Sequence, residues 1–143
     1  MSNYLKLKGK NIMHMQEISE VLEKNGYDIA EDNYTLSVSI NNFDAMLTND
    51  EDDLKLMCRV CEVGKFTEDQ LSQVIFMALE SNIAINPFAF AVLESGSEKV
   101  EDHLLVITDK VVQEGVTEDS LVDWMEALRA ATCQAYEIIK AVK

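Results

Sequence analysis

The run Cys58-Arg59-Val60-Cys61 is the feature of this sequence most suggestive of chemistry, because two thiols three residues apart form either a redox pair or half of a zinc site. Either use requires both sulfurs to converge on one point. The residues around them, Leu54 to Val63, alternate as a strand does, and side chains three apart on a strand point to opposite faces. Cys133, His14 and His103 are scattered without ligand spacing, so the expectation is structural cysteines and no metal site. Three cysteines cannot all pair with one another, which fits a reducing compartment better than a disulfide framework.

Asp50-Glu51-Asp52-Asp53 has the charge for calcium but lacks the alternating ligands, central glycine and closing glutamate of an EF-hand loop. It reads as a solvated hairpin turn. The sequence holds no Gly-rich phosphate loop, nucleophile elbow or zinc-protease helix motif, and neither histidine has a neighbouring nucleophile. No catalytic residue and no cofactor are therefore expected, and the chain is not read as an enzyme.

Across its 143 residues, 26 acidic side chains outweigh 12 basic ones, for a formal net charge of -14. Such a chain repels phosphate and has little basic surface from which to release counterions, so no nucleic-acid partner is expected. Lys6, Lys8 and Lys10 make residues 1–10 a basic extension, read as a flexible, solvated tail. No run approaches the roughly 18–20 apolar residues that span a bilayer, and the first 25 residues lack a signal-peptide centre. A cytoplasmic protein without membrane insertion is expected, with one domain over residues 11–143.

The elements that must position any site follow from periodicity. Ile12, Met15, Ile18, Val21 and Leu22 have helical spacing over Asn11 to Asn25, and Gly26 supplies a left-handed stop. After a polar turn, Tyr34 to Ile40 alternates with Leu36, Val38 and Ile40 on one side and Thr35, Ser37 and Ser39 on the other. A short stretch around Ala45 to Thr48, the acidic turn and Leu54 to Val63 read as a hairpin. Thr67-Glu68-Asp69-Gln70 has capping-box spacing, flanked by Phe66 and Leu71 as a hydrophobic staple, and Thr117-Glu118-Asp119-Ser120 repeats the device.

The second helix then runs to about Ser81 on a stripe of Leu71, Val74, Ile75, Ala78 and Leu79. Phe88 to Leu93 and His103 to Thr108 are the fourth and fifth strands, and Glu118 to about Val142 is a long last helix. Its stripe is Leu121, Trp124, Met125, Leu128, Ala135, Ile138 and Val142. The order α-β-β-β-α-β-β-α predicts an α+β sandwich, with helices packed on a mainly antiparallel twisted sheet.

Some apolar surface has no obvious use in that sandwich. Phe88, Phe90 and Val92 face one way in the fourth strand, yet Ala89, Ala91 and Leu93 leave the other face apolar too, and Leu104 to Ile107 repeats the pattern. Phe76 and Met77 fall about 140° and 240° around the second helix from Leu71, outside its stripe. Contiguous apolar surface of this sort marks a protein contact, and a symmetric dimer is its commonest closed solution.

At the end of the second helix, Ala78-Leu79-Glu80-Ser81-Asn82-Ile83 is similar to a Leu-x-x-Asn pattern. With size, acidity and element order it makes residues 11–142 resemble the class I type III secretion chaperones, the Tir-chaperone family, and their broader superfamily. The resemblance implies a homodimer that keeps an effector's N-terminal segment extended and secretion-competent. On that reading a client touches Ile12, Met15, Leu36 and Val38, and the dimer contact uses Phe76, Met77, Ala89, Ala91 and Leu93.

The same fold also occurs in bacterial proteins not linked to secretion, which makes a cytoplasmic accessory or regulatory binding protein the alternative. A third possibility is an acidic decoy that occupies the basic site of a nucleic-acid-binding protein. Charged substitutions at Met77 and Ala91 are expected to lower the mass in solution of a still-folded protein; an unchanged mass refutes the dimer map.

Overall fold

A computed structural model describes residues 12–32, 34–94, 96 and 98–143; the extension expected over residues 1–10 lies outside them. The elements are α1 (Met15–Lys24), β1 (Asp28–Asp32), β2 (Thr35–Ile40), β3 (Phe43–Asp50), β4 (Asp53–Glu62), α2 (Glu68–Ser81), β5 (Ala89–Leu93), β6 (Leu104–Val112) and α3 (Glu118–Ala141). The strands form one antiparallel sheet in the order β1-β2-β3-β4-β6-β5, so the fold is the expected α+β arrangement. The chain divides into two compact units, one of residues up to Leu56 with Lys110–Met125, the other of Met57–Asp109 with Glu126–Lys143.

In the first unit, the register Leu36↔Leu47 and Val38↔Ala45 stacks four inward side chains that are all buried, while Ser37 pairs with Met46 on the opposite, exposed face. Ile18 and Leu22 of α1, which packs against β1, are completely buried as well. The helix ends as expected, with Gly26 at φ +95° and the Tyr27 N–H donating to the Leu22 carbonyl. Two-residue loops join β2 to β3 and β3 to β4, and each has its first residue, Asn41 or Glu51, at positive φ, as the twist of a tight hairpin demands.

Two departures from the sequence reading occur here. The segment read as a polar turn after Gly26 contains a further strand, β1, paired with β2 through Ile29↔Val38. Only Ile29 of its five residues is even half-buried, so no apolar alternation announces it. The helix expected from Asn11 starts instead at Met15, because His14 is extended and the Met13 carbonyl is engaged elsewhere.

That engagement is with Gln113, a buried polar side chain. Its Nε2 donates to the Met13 carbonyl at 2.8 Å, its Oε1 accepts from Asn49 Nδ2 at 2.7 Å, and its backbone N–H donates to the Asp52 carbonyl at 2.9 Å. Nearby, Lys110 lies 3.5 Å from Asp50 and 3.4 Å from Asp53, at the ends of the acidic turn. The hydrogen bond that Lys110 donates to Asp53, followed by the attraction of both carboxylates, raises the Lys110 pKa.

In the second unit, Leu105, Val106 and Ile107 are buried one after another, so both faces of β6 are covered there, as its two-sided apolar pattern requires. The turn Val63–Lys65 approaches Val100–Asp102 so closely that a Cβ on Gly64 would lie 2.7 Å from the Glu101 carbonyl oxygen. The Val63 N–H donates to the His103 carbonyl beside it. The last helix buries Leu121, Trp124 and Met125 in the first unit and Leu128, Ala135 and Ile138 in the second, matching its expected stripe.

Replacing Gln113 with Ala is expected to cost about 1 kcal/mol, because it removes the partners of the half-buried Asn49 amide and Met13 carbonyl. The urea midpoint reads the loss.

Candidate protein-binding surface

The N-terminus of α2 is fixed by the capping box read from the sequence. Gln70 N–H donates to Thr67 Oγ1 at 3.2 Å, and Thr67 N–H donates to Gln70 Oε1 at 3.0 Å. The start of α3 is held in the same way by Thr117 and Ser120. With its start fixed, the helical period decides which side chains of α2 face the core, and those fully buried are Val74 and Ala78.

The rest of the expected stripe is corrected by the structure: Ile75 is 54% exposed and Leu79 66%. Together with Phe76, at 65%, and Ile83 just past the helix, at 89%, they lie within about 100° of helical arc. The core-facing row is narrower than the apolar spacing, because spacing alone does not separate a core-facing row from an apolar row beside it.

Phe88 is buried and anchors the chain before β5, whose residues are only partly covered. Ala89 is exposed, Ala91 and Leu93 are half-buried, and Val92 is 57% exposed. This strand ends the sheet order, so one side of its backbone is open, and it carries no charged residue to block that side. Of the expected dimer residues, Phe76 and Ala89 are thus exposed, and Met77, Ala91 and Leu93 are half-buried. Ile75, Leu79 and Ile83 are additions to that set.

The expected client residues divide differently. Ile12 and Met15 are half-buried at the entry to α1, whereas Leu36 and Val38 are 2% and 0% exposed. Leu36 and Val38 form core against Leu47 and Ala45, so a client has no access to them; the alternation that placed them on a groove equally describes a half-buried strand.

Cys58 and Cys61 are reduced thiols of β4, the first buried and the second half-buried. Burial raises the Cys61 pKa, against a smaller lowering by Lys65, which keeps the thiol protonated and a poor nucleophile. Among the described residues no three of His, Cys, Asp and Glu cluster as metal ligands, and no helix is long and apolar enough to cross a membrane.

Replacing Thr67 with Ala is expected to lower stability by about 1 kcal/mol in chemical denaturation, since it removes the cap that fixes the rotation of the exposed α2 stripe.

No family model matches the sequence, and no curated protein matches it. Among solved structures, a chain of the ExoU-SpcU complex from the type III secretion system of Pseudomonas aeruginosa is similar at 16% identity and a TM-score of 0.64, covering 85% of this chain and 96% of that one. An uncharacterized protein from Methanothermobacter thermautotrophicus is similar at 12% identity and a TM-score of 0.63, over 87% and 95% of the two chains. A chain of the HopA1-SchA chaperone-effector complex aligns at 18% identity and a TM-score of 0.58, over 96% and 98%. The chain has the fold found in type III secretion chaperone-effector complexes, over nearly the whole length of each compared chain.

Proposed function

We propose that this chain is a non-catalytic, homodimeric chaperone that binds a segment of a protein client and holds it extended. The observation that carries the reading is the α2 stripe, where Ile75, Phe76, Leu79 and Ile83 face water on a chain of net charge -14. Apolar rows of this kind on soluble domains are contact surfaces, and a two-fold pair of copies is the commonest way to cover one. Phe76 and Met77 supply the helical part of the dimer contact, and Ala89, Ala91 and Leu93 of the uncharged edge strand β5 supply the other.

Client binding is assigned to Ile12 and Met15, which are half-buried at the entry to α1. The likeness to chains from chaperone-effector complexes supports an effector as the client, and the family resemblance implies its N-terminal segment as the part held. The second reading is a cytoplasmic accessory protein that uses the same surfaces for a partner outside secretion.

Phe76→Glu with Leu79→Glu is expected to halve the mass measured by light scattering while leaving the circular dichroism spectrum intact, because two charges then face each other across a desolvated contact. Capture of the tagged wild type from its own cells, at physiological and at high salt, tests the client. One partner retained in both salts through its N-terminal segment supports the chaperone. Loss of every partner at high salt overturns it in favour of an electrostatic decoy.

A further inference from the structure

The turn that ends α1 carries the single Asn-Gly dipeptide of the sequence, Asn25-Gly26. An asparagine before a glycine is open to attack on its own side chain, because no Cβ on the glycine shields its backbone nitrogen. The fold requires that glycine for a different reason. A Cβ on Gly26 would meet nothing closer than Ile40 Cδ1 at 3.9 Å, so space does not select it; its φ of +95°, at the left-handed stop of the helix, does. The residue that closes α1 is thus the one that makes its neighbour reactive.

The same turn holds the reaction off. Asn25 has ψ 13°, which brings its own backbone nitrogen nearly into line with the Gly26 nitrogen across the Cα–C bond. Closure of a ring through the side chain needs Cβ in that place instead. Hydrogen bonds fix the unreactive arrangement: Asn25 Nδ2 donates to the Val21 carbonyl at 2.7 Å, Gly26 N–H to the Glu23 carbonyl at 3.0 Å and Tyr27 N–H to the Leu22 carbonyl at 3.0 Å. Asn25 and Gly26 are both exposed, so water reaches them whenever these bonds open.

We propose that Asn25 is a deamidation site gated by the last turn of α1, with water as the co-reactant. When the turn frays, the Gly26 nitrogen gives up its proton and bonds to Asn25 Cγ. The Cγ–Nδ2 bond then breaks, and ammonia leaves with the two amide hydrogens and one proton. The resulting succinimide takes up one water at either carbonyl and opens to an aspartyl or isoaspartyl residue, with no oxidant or reductant involved. This chemistry is slow beside fraying, so its rate follows the population of the open turn. The product cannot restore the cap. A carboxylate has no hydrogen to donate to the Val21 carbonyl, and its charge falls at the negative end of the helix dipole. Conversion is therefore one-way and leaves α1 with a weaker end.

Incubation of the full chain in mildly alkaline buffer, with and without urea, followed by peptide mapping for the two isomers at residue 25, tests the site. Conversion in the native chain is expected to be about tenfold or more slower than in urea. Ile18→Val loosens the packing of α1 without touching the turn, and is expected to raise the native rate about twofold to tenfold. Asn25→Asp, which stands for one product, is expected to speed amide exchange at Gly26 and Tyr27 about tenfold while amides of α2 and α3 keep their rates. No conversion in urea overturns the site. Equal rates with and without urea, or a native rate that Ile18→Val leaves unchanged, overturn the gate, and unchanged exchange in Asn25→Asp overturns the one-way step. None of these readouts depends on dimerisation or on a client, so this inference and the proposed chaperone function fail separately.

Discussion

The register between β2 and β3 is the constraint on which the first unit rests. Leu36 lies opposite Leu47 and Val38 opposite Ala45, while Ser37 lies opposite Met46 on the other face. A slip of one residue would put Ser37 and Ser39 into the core and turn Leu36 and Val38 out to water. The two-residue loop at Asn41-Asn42 fixes that register, because only a tight turn brings Ile40 opposite Phe43. With the register set, α1 has a continuous apolar surface for Ile18 and Leu22, and the sequence on either side of it falls into place.

Much of this was legible in the sequence because it is written in short periods. The alternation in β2, the paired caps at Thr67 and Thr117 and the stripe of the last helix are local patterns whose physics acts within one or two turns of chain. Strand β1 was not legible: four of its five residues are exposed, and what makes it a strand is pairing with β2 rather than burial. The site was legible in part. Phe76 stood out because it left the helical stripe, but Ile75 and Leu79 were indistinguishable from core until the tilt of α2 was known, and Leu36 and Val38 carried a pattern that core and groove share.

The surface separates two kinds of stickiness. Acidic residues crowd the β1 edge, where Asp28, Glu31 and Asp32 discourage indiscriminate strand pairing. In the second unit, α2 and β5 carry Ile75, Phe76, Leu79 and Val92 uncovered. A net charge of -14 opposes unspecific self-association through long-range repulsion. Of the three cysteines, Cys58 is buried, Cys61 is half-buried with its pKa raised by burial, and Cys133 is exposed.

Gln113 also sets an order of events during synthesis. Its side chain holds Met13, 100 residues earlier, and Asn49, 64 residues earlier. While the ribosome is still making the middle of the chain, the hairpins from β1 to β4 can form, but the entry to α1 has nothing to fasten to. The first unit closes only when Lys110–Met125 emerges, so a nascent chain arrested before that point exposes the α1 entry and the ends of β3 and β4 together.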